Sequence, residues 1–392
     1  MAELRKARMV DLCEITSSKR IFAADYVSEG VPFYRDKEIT EKYKGNLGVS
    51  TELFISEEKF CEIERKFGAP SSGDLLLTSV GTLGSPYVLK PGERFYFKDG
   101  NLTWFRHFKE LDSRFLYYWL VAPQGKAELQ KCTIGSSQSA FTIVLLKGME
   151  IELPPLPVQR RIAGILSAYD ELMENSQRRI RILEAMARAL YREWFVHFRF
   201  PGHEKLPRVA SPLGDIPQGW EVGRLDDVLV LQRGFDLPKA DRVEGTVPIY
   251  AATGVTGFHK DAKVKAPGVV TGRSGTIGDV LYVQEDFWPL NTALWVKEFP
   301  KAEPLYAYYV LSSLDLRQFN SGAAVPTLNR NDIHGLDTLI PPCPLQKRFQ
   351  EIAGAMLAQI RTLELQIQNL RRTRDLLLPR LLNGSFTLQC HE

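Results

Sequence analysis

Cysteine is scarce in this chain, and no two cysteines are spaced as a pair. The five residues are scattered, and no Cys-x-x-Cys arrangement occurs. A zinc module or a disulfide framework would need regular spacings of that kind. The sequence therefore supports neither. The cysteines are Cys13, Cys61, Cys132, Cys343 and Cys390.

Long apolar runs are also missing. No stretch approaches the roughly 20 apolar residues that cross a bilayer, and the amino-terminal MAELRKARMVDL lacks the apolar core of a signal peptide. We therefore expect a cytoplasmic protein with no membrane contact. The 392 residues are 44% apolar and 25% charged, which is ordinary for a globular protein of two or three domains.

The common catalytic signatures do not occur in the sequence. It contains no Gly-x-x-x-x-Gly-Lys-Ser/Thr phosphate loop, no glycine-rich dinucleotide fingerprint and no His-Glu-x-x-His helix. The two Pro-Pro pairs follow Leu153 and Ile340, and not the Asn or Asp that begins the catalytic Pro-Pro motif of amino-DNA methyltransferases. The six histidines form no cluster in the sequence. We therefore expect no catalytic residue, no cofactor and no metal ion.

The most prominent feature of the sequence is a long segment that occurs twice. The first copy runs from Pro154 to Trp194, and the second begins at Pro341 with no gap, at an offset of 341 − 154 = 187. Apolar residues recur at steps of three and four in both copies, which is the pattern of an amphipathic helix. The repeat therefore predicts two long helices that pair with each other. The offset aligns Pro155, Pro157, Gln159 and Arg161 with Pro342, Pro344, Gln346 and Arg348.

The repeat extends into the regions that precede each helix. There, short apolar runs alternate with turn signals, which predicts strands and hairpins, with a short buried helix over 111–122. The offset falls from 216 (Asp11 to Asp227) to 194 (Gly81 to Gly275), and it is 190 between Asn101 and Asn291. Pro32 and Pro248 still have the offset of 216, so the first half carries 216 − 194 = 22 extra residues between Pro32 and Gly81. The pattern predicts a tandem duplication of a mixed, strand-rich α/β domain.

These features divide the chain into five predicted segments. Four prolines and three glycines between positions 201 and 219 break any helix, and a linker there would let the chain reverse so that the two helices run antiparallel. The predicted segments are a first domain at 1–153, a central helix at 154–200, the linker at 201–219, a second domain at 220–340 and a C-terminal helix at 341–385.

Four motifs follow one another in a distinctive order. They are PPLPVQRRI at 154–162, WFVHFRFPGHE at 194–204, LGDIPQGW at 213–220 and PPCPLQKR at 341–348. Over essentially the whole chain, this order resembles the specificity subunit of a type I DNA restriction-modification enzyme. The first domain departs from the pattern because it lacks an LGxIPxGW start. Pro379 is a second departure, and we expect it to end or kink the second helix near Leu378 because proline donates no backbone hydrogen bond.

The resemblance implies a fold and a set of partners. The fold is α/β (α+β): two target-recognition domains, related by an internal pseudo-twofold repeat, with two long helices between them that form an antiparallel coiled coil. Each domain would read one half of a split site in double-stranded DNA. The helices would dock two modification (methyltransferase) subunits and, through them, restriction subunits that supply an ATP-dependent motor and endonuclease. Leu166, Met173, Met186 and Leu357 are the predicted docking residues on the helices.

Two glycine-containing loops are the first candidates for DNA contact. The segments 79–84 and 273–278 combine small hydroxyls and bare amides, which suit phosphate, and Arg273 could reach a guanine edge. Alternatively, their glycines serve only backbone geometry in a hairpin. Polar and basic loops after the first strands are the next candidates. The predicted DNA-binding residues are Lys19, Arg20, Arg35, Ser79, Thr82 and Ser137 in the first domain and Arg233, Lys260, Lys263, Arg273, Ser274 and Thr276 in the second.

The sequence therefore predicts a non-catalytic DNA-specificity subunit that recognises a bipartite site. The alternative is a coiled-coil scaffold whose strand-rich domains bind peptides without DNA specificity. The modest net charge of +3 is the best support for that alternative, since DNA-binding proteins are commonly more basic.

Overall fold

The protein is described from a computed structural model, which defines residues 4–46, 48–135 and 139–383. The chain divides into two compact units. Unit 1 comprises Met1–Gln177 with Leu365–Glu392, and unit 2 comprises Arg178–Glu364. Each of the two long helices therefore contributes residues to both units.

Unit 1 is built around two four-stranded sheets. One sheet has the order β2-β9-β6-β7 with antiparallel pairs, and the other has the order β3-β5-β4-β8, in which β4 and β8 run parallel. Two further antiparallel pairs, β1-β12 and β10-β11, complete the strands. The strands are β1 (Arg5–Arg8), β2 (Glu14–Thr16), β3 (Tyr26–Val27), β4 (Val31–Tyr34), β5 (Phe54–Ile55), β6 (Leu75–Thr78), β7 (Pro86–Val88), β8 (Tyr96–Phe97), β9 (Leu102–Arg106), β10 (Thr133–Ile134), β11 (Ala140–Phe141) and β12 (Glu150–Leu153).

The helices of unit 1 cover one sheet and close its core. The predicted buried helix is confirmed as α4, which Asp112 caps by accepting hydrogen bonds from the amides of Arg114 and Phe115, both at 3.0 Å. Its apolar residues Phe115, Leu116 and Leu120 are almost fully buried, and each such side chain contributes about 1.5–3 kcal/mol. The helices are α1 (Met9–Leu12), α2 (Asp36–Tyr43), α3 (Glu57–Phe67), α4 (Ser113–Val121), α5 (Pro123–Lys131) and α6 (Ile143–Gly148), followed by the long α7 (Leu156–Tyr191).

Unit 2 repeats the strand order of the first sheet of unit 1, and its second sheet has three strands where unit 1 has four. Its four-stranded sheet has the order β16-β22-β19-β20, its second sheet β18-β17-β21 again contains one parallel pair, β17 with β21, and β15 pairs with β23 as β1 pairs with β12. The elements are β13 (Arg208–Ser211), β14 (Gly214–Pro217), β15 (Glu221–Arg224), α8 (Leu225–Val228), β16 (Val230–Arg233), β17 (Val247–Ala251), β18 (Gly254–His259), β19 (Gly268–Gly272), β20 (Val280–Val283), β21 (Trp288–Pro289), β22 (Ala293–Glu298), α9 (Pro304–Ser313), α10 (Arg330–His334), β23 (Asp337–Ile340) and α11 (Cys343–Leu382).

The extra residues of the first half form helices. Between β4 and β6, unit 1 inserts α2 and α3, whereas the described chain of unit 2 passes from β17 to β19 through the single strand β18. The predicted 22-residue length difference before Gly81 falls in this segment. It leaves the order of the shared strands unchanged.

In each unit α7 and the residues that follow it pack against α11, and in unit 1 the two helices run antiparallel. In unit 1, Ile162 and Leu166 share a core with Leu378 and Leu381, and further along α7 the Asp170 Oδ1 atom lies 2.5 Å from Arg374 Nη1. In unit 2, the rings of Tyr191, Trp194 and Phe195 surround Phe349, with centroid distances of 6.2, 6.2 and 5.0 Å. In unit 1 the partner's number falls as the residue number rises.

Two local expectations from the sequence need correction, and the predicted linker gains detail. The helix α11 does not end at Leu378 but continues through Pro379 to Leu382, because Leu378 and Leu381 are buried in the core of unit 1 and hold its last turn in place. The predicted linker 201–219 contains the antiparallel hairpin β13-β14. Two of the predicted docking residues, Leu166 and Met173, are buried, at 0% and 6% exposure.

Candidate nucleic-acid interface

The first glycine-containing loop, Ser79–Gly84, leaves the end of β6 and doubles back toward β7. Gly81 and Gly84 have φ of 76° and 78°, the left-handed region that glycine occupies without steric cost. Across the loop, Val80 forms a β-bridge with Ala140, and the Phe141 amide donates to the Ser79 carbonyl at 3.0 Å. The loop is therefore fixed against the segment that follows residue 138.

The second loop, Arg273–Gly278, has the same construction in unit 2. Gly275 and Gly278 have φ of 95° and 109°. Ser274 forms a β-bridge with Thr327, and the Leu328 amide donates to the Arg273 carbonyl at 2.8 Å.

The two loops are held by equivalent contacts. The offset of 194 takes Ser79 and Val80 to Arg273 and Ser274, and the offset of 187 takes Ala140 and Phe141 to Thr327 and Leu328. Each bridge and each hydrogen bond of unit 1 therefore has its counterpart in unit 2 at the offsets found in the sequence. If these loops were only hairpin turns, their glycines would be explained. The β-bridges that join them to Ala140 and Thr327 would not be.

Ser79 does not belong to a DNA-contacting surface in this structure. The residue is 2% exposed, and its hydroxyl lies 2.7 Å from Thr103 Oγ1 and 3.2 Å from the Leu77 carbonyl. Its amide donates to the Asn101 carbonyl at 2.8 Å. The side chain faces the sheet because the β6 alternation continues into the first loop position, so Ser79 stabilises the loop from inside.

The basic candidates of unit 1 gather where β2, β4 and β8 end. Lys19 is exposed, its amide donates to the Tyr96 hydroxyl at 2.7 Å, and its Nζ lies 5.1 Å from the Phe67 ring. Arg20 Nε lies 2.8 Å from Asp99 Oδ2. Arg35 is half-buried, with Nη2 at 3.2 Å from Glu38 Oε1 and with a buried Nε that has no partner.

Thr82 is exposed at the tip of the first loop. Below it, Gly81 lies against Asp36, so close that a Cβ atom added to the glycine would stand 3.0 Å from Asp36 Oδ2. Asp36 directly follows Arg35, which brings the loop and the end of β4 together. Ser137 lies outside the described residues.

In unit 2 a chain of polar contacts joins the candidates at the ends of β16 and β19. Arg233 Nη2 lies 3.3 Å from Asp236 Oδ1, the Asn291 side-chain amide donates to the same carboxylate, and Arg273 Nη1 donates to the Asn291 carbonyl at 3.1 Å. Arg233 and Thr276 are exposed, and Ser274 is half-buried. These side chains form one polar surface.

The two lysine candidates of unit 2 lie after β18. Lys263 Nζ stands 5.0 Å from the Trp288 ring, and that indole also contacts Phe235, two residues beyond Arg233. Lys260 is exposed and has the carboxylate of Asp261 at 3.9 Å. Among the described residues, no hydrogen bond or ion pair joins Lys260 to the glycine loop.

In unit 1, Arg35, Asp36 and Thr82 form the corresponding polar surface beside the first glycine loop. Each polar surface also contains an asparagine that was not among the predicted contact residues. Asn101 donates through Nδ2 to Asp36 Oδ1 at 2.7 Å, as Asn291 does to Asp236. The signal for them was present in the sequence, since the two asparagines are equivalent at an offset of 190. Their acidic partners gave no such signal, because Asp36 follows β4 and Asp236 follows β16.

The part of the chain that the structure describes supplies no candidate for a metal site or a membrane span. Within residues 4–46, 48–135 and 139–383, no group of three or more His, Cys, Asp or Glu side chains could hold a metal ion. Over the same residues, no helix combines the length and the apolar character needed to cross a bilayer.

Comparison with known proteins gives this architecture a family. The fold, two units of one topology that share a pair of long helices, is that of a specificity subunit: a crystal structure of the type I restriction-modification S subunit from M. genitalium superposes with a TM-score of 0.67, covering 97% of this chain and 96% of that one at 17% identity. The family model for the type I restriction modification DNA specificity domain matches residues 2–185 and 217–370. The chain belongs to that family.

Individual relatives agree with this assignment. The chain is 27% identical over 348 residues to the type I restriction enzyme MjaIX specificity subunit of Methanocaldococcus jannaschii, spanning 81% of this chain and 78% of the relative. It is 28% identical over 181 residues to the MjaVIII specificity subunit of the same organism, spanning 45% of this chain and 40% of that relative. The predicted family and fold class are confirmed, and the peptide-binding scaffold is not favoured.

Proposed function

We propose that this chain is the non-catalytic subunit that gives a type I restriction-modification complex its DNA specificity, and that each unit reads one half of a bipartite site. The observation that carries the proposal is the pair of glycine loops, each fixed by the same β-bridge and the same hydrogen bond in its own unit. A loop held at two points presents its tip with little loss of conformational entropy on binding.

The side chains around each loop suit DNA. Arginine and lysine side chains and bare amides bind phosphate, and a smaller number of side chains then read base edges. In unit 1 the surface includes Lys19, Arg20 and Thr82, and in unit 2 it includes Arg233 and Arg273. The 1–153 and 220–340 segments would then be the two target-recognition domains, acting on double-stranded DNA in the cytoplasm.

The partners that we propose are two modification subunits and, through them, restriction subunits. Docking would use exposed apolar residues of the long helices. On α7 in unit 2, Ile182 and Met186 are 58% and 48% exposed and lie one turn apart. Their equivalents at the offset of 187 are Asn369 and Thr373. The Ile182–Met186 pair of α7 is therefore not repeated at the equivalent positions of α11, whose exposed apolar residues lie elsewhere on that helix and include Leu365 and Leu376.

The DNA-binding part of the proposal is tested with the full chain and a randomised duplex library. We expect selection of two short half-sites separated by a spacer of fixed length. The affinity for the selected duplex should fall steeply between about 50 and 200 mM salt, since counterions are released from the contacted phosphates. Replacing Arg233 with Ala should weaken binding at every sequence and reduce the salt slope. Selection of no sequence, or binding that ignores salt, would overturn the proposal.

The docking part is tested by substitution of the exposed side chains. Removing α11 would be uninformative, because its residues Phe349 and Leu381 belong to the cores of units 2 and 1. Ile182→Glu with Met186→Glu changes only surface side chains and should reduce co-purification of one modification subunit while DNA binding persists. Gln368→Glu, which introduces a carboxylate at an exposed polar position of the other long helix, α11, is the control. Unchanged assembly of the double variant would refute docking at this surface.

A further inference from the structure

Both polar surfaces contain an asparagine whose side chain is held by an aspartate. Asn101 precedes β9 and Asn291 precedes β22, so each lies at the start of the strand that runs through the middle of its sheet. Each backbone carbonyl accepts a hydrogen bond from the first residue of the glycine loop. The Asn101 carbonyl accepts from the Ser79 amide, and the Asn291 carbonyl accepts from Arg273 Nη1. In each asparagine the backbone carbonyl therefore holds the glycine loop, and the side chain is not needed for that contact.

The aspartate determines how the amide is oriented. A carboxylate only accepts hydrogen bonds, so the Nδ2 atom of each asparagine must face its aspartate. One N–H is used in this way. The Oδ1 atom and the second N–H remain, and they form an adjacent acceptor and donor.

These remaining groups reach the surface. Asn101 and Asn291 are both half-buried. Within the described chain, neither Oδ1 accepts a hydrogen bond, and neither is among the buried side-chain atoms without a partner. Each Oδ1 is therefore open to solvent beside the loop.

The arrangement was built twice from different parts of the chain. The asparagines are equivalent at an offset of 190, but Asp36 corresponds at 216 to Ala252, and Asp236 corresponds to Arg20. Duplication alone would have copied both members of the pair. A requirement for an oriented amide at this position explains why each unit has an aspartate there, at a surface where a carboxylate otherwise repels phosphate.

We propose that Asn101 and Asn291 each read an adenine, one in each half-site, and that Asp36 and Asp236 are positioning residues that hold the two amides in the reading orientation. An adenine presents the N6 amino donor and the N7 acceptor in the major groove, and the asparagine acceptor and donor match that pair. This inference rests on the proposed function, since it assigns a base to a surface proposed to contact DNA.

The test uses the full-length chain, the randomised duplex library and single-base variants of the selected duplex. Asn101→Ala should lower the preference for adenine at one position of one half-site by roughly 5- to 150-fold, and Asn291→Ala should do the same in the other half-site. The salt slope should stay unchanged in both, because no phosphate contact is lost. Asp36→Asn should weaken the preference for adenine at the same position as Asn101→Ala. An asparagine at position 36 can both donate and accept hydrogen bonds, so it no longer holds the Asn101 side-chain amide in one orientation.

Control variants separate this role from a structural one. Asn46→Ala in unit 1 and Asn331→Ala in unit 2 remove exposed asparagines whose side chains make no hydrogen bond to the described residues of the glycine loops, and should leave every base preference intact. If Asn101→Ala and Asn291→Ala weakened binding equally to all duplexes, or changed a position that is not adenine, the asparagines would be structural and the inference would be wrong although the chain still selected a bipartite site. If the unaltered chain selected no site, the proposed function itself would fail.

Discussion

Gln159 and Gln346, which are 187 residues apart, make the same hydrogen bonds in their respective units. Gln159 Nε2 donates to the carbonyls of Pro154 at 2.9 Å and Glu110 at 3.0 Å, and its Oε1 accepts from the Asp112 amide at 3.0 Å. Gln346 Nε2 donates to the carbonyls of Pro341 and Lys301, and its Oε1 accepts from the Glu303 amide. Both side chains are 1% exposed. Each glutamine thus ties the first turn of a long helix to the chain before α4 or α9.

Replacing either glutamine should destabilise the protein. Gln159→Leu or Gln346→Leu would leave buried carbonyl and amide groups without partners, at a cost of about 1–3 kcal/mol for each group that water cannot reach. We expect a loss of about 3 kcal/mol in the free energy of unfolding, measured by urea titration. The exposed Gln368→Leu is the matched control. Loss of stability no larger than in the control would show that water replaces these bonds.

The paired helices carry an ion pair in unit 1 that unit 2 lacks. Asp170 accepts from Arg374 Nη1 and from the Tyr118 hydroxyl, both at 2.5 Å, and burial together with this carboxylate raises the pKa of Tyr118. At the offset of 187, Asp170 and Arg374 correspond to Leu357 and Ala187. Arg374→Ala should destabilise unit 1 by about 1–3 kcal/mol, because it leaves a half-buried carboxylate without its cation.

The unit 2 residues suggest a rescue of that variant. The variant that combines Asp170→Leu with Arg374→Ala places the leucine and alanine found at the equivalent positions of unit 2. Adding Tyr118→Phe removes the Tyr118 hydroxyl, which would otherwise lose its hydrogen-bond acceptor Asp170. We expect this triple variant to recover most of the stability lost in Arg374→Ala, as judged by thermal unfolding. A triple variant that is less stable than Arg374→Ala would show that the ion pair stabilises unit 1 in itself.

Unit 2 should lose stability at mildly acidic pH through His334. The Leu231 amide donates to His334 Nε2 at 3.0 Å, which requires the neutral ring, and partial burial lowers the pKa of His334 below its usual 6.5. As the pH falls, His334 therefore binds a proton at a higher pH in the unfolded chain than in the folded protein. The contribution of His334 is complete above about pH 6.5 and is lost as the pH falls through the lowered folded pKa.

This pH dependence can be measured with a substitution that cannot titrate. His334→Gln keeps an acceptor for the Leu231 amide but has no charged form. The difference in melting temperature between the unaltered chain and His334→Gln should change between pH 7 and pH 5, in favour of the variant at low pH. Asn331→Gln, which changes an exposed residue of the same helix α10 that cannot titrate, is the control. A constant difference over this range would contradict the assignment.

If the proposed function is right, the long helices set the distance between the half-sites. Seven residues inserted after Gln177 in α7 and after Glu364 in α11 keep the contacts within each unit and add about 10 Å to both helices. We expect the spacer of the selected DNA to grow by about three base pairs, at roughly 3.4 Å each, with both half-sites unchanged. Seven residues inserted between β13 and β14 should leave the spacer as it was. A change in half-site sequence would contradict the idea.

The sequence by itself determined the repeat, the two long helices and the positions of the paired loops. These features depend on periodicity and spacing: the offset of 187 relates Gln159 to Gln346, and the offsets of 194 and 187 together relate the Val80–Ala140 bridge to the Ser274–Thr327 bridge. Because helical periodicity and turn chemistry are local properties, a single chain displays them without any knowledge of the fold.

Only the tertiary structure decided which side chains face the solvent and which partners meet. Leu166 lies on the same amphipathic helix as Met186, yet it is buried where α11 packs in unit 1, while Met186 is exposed in unit 2. Ser79 turns into the sheet, and Asn101 meets an aspartate 65 positions away. These outcomes depend on contacts between residues distant in sequence, and no local pattern determines them.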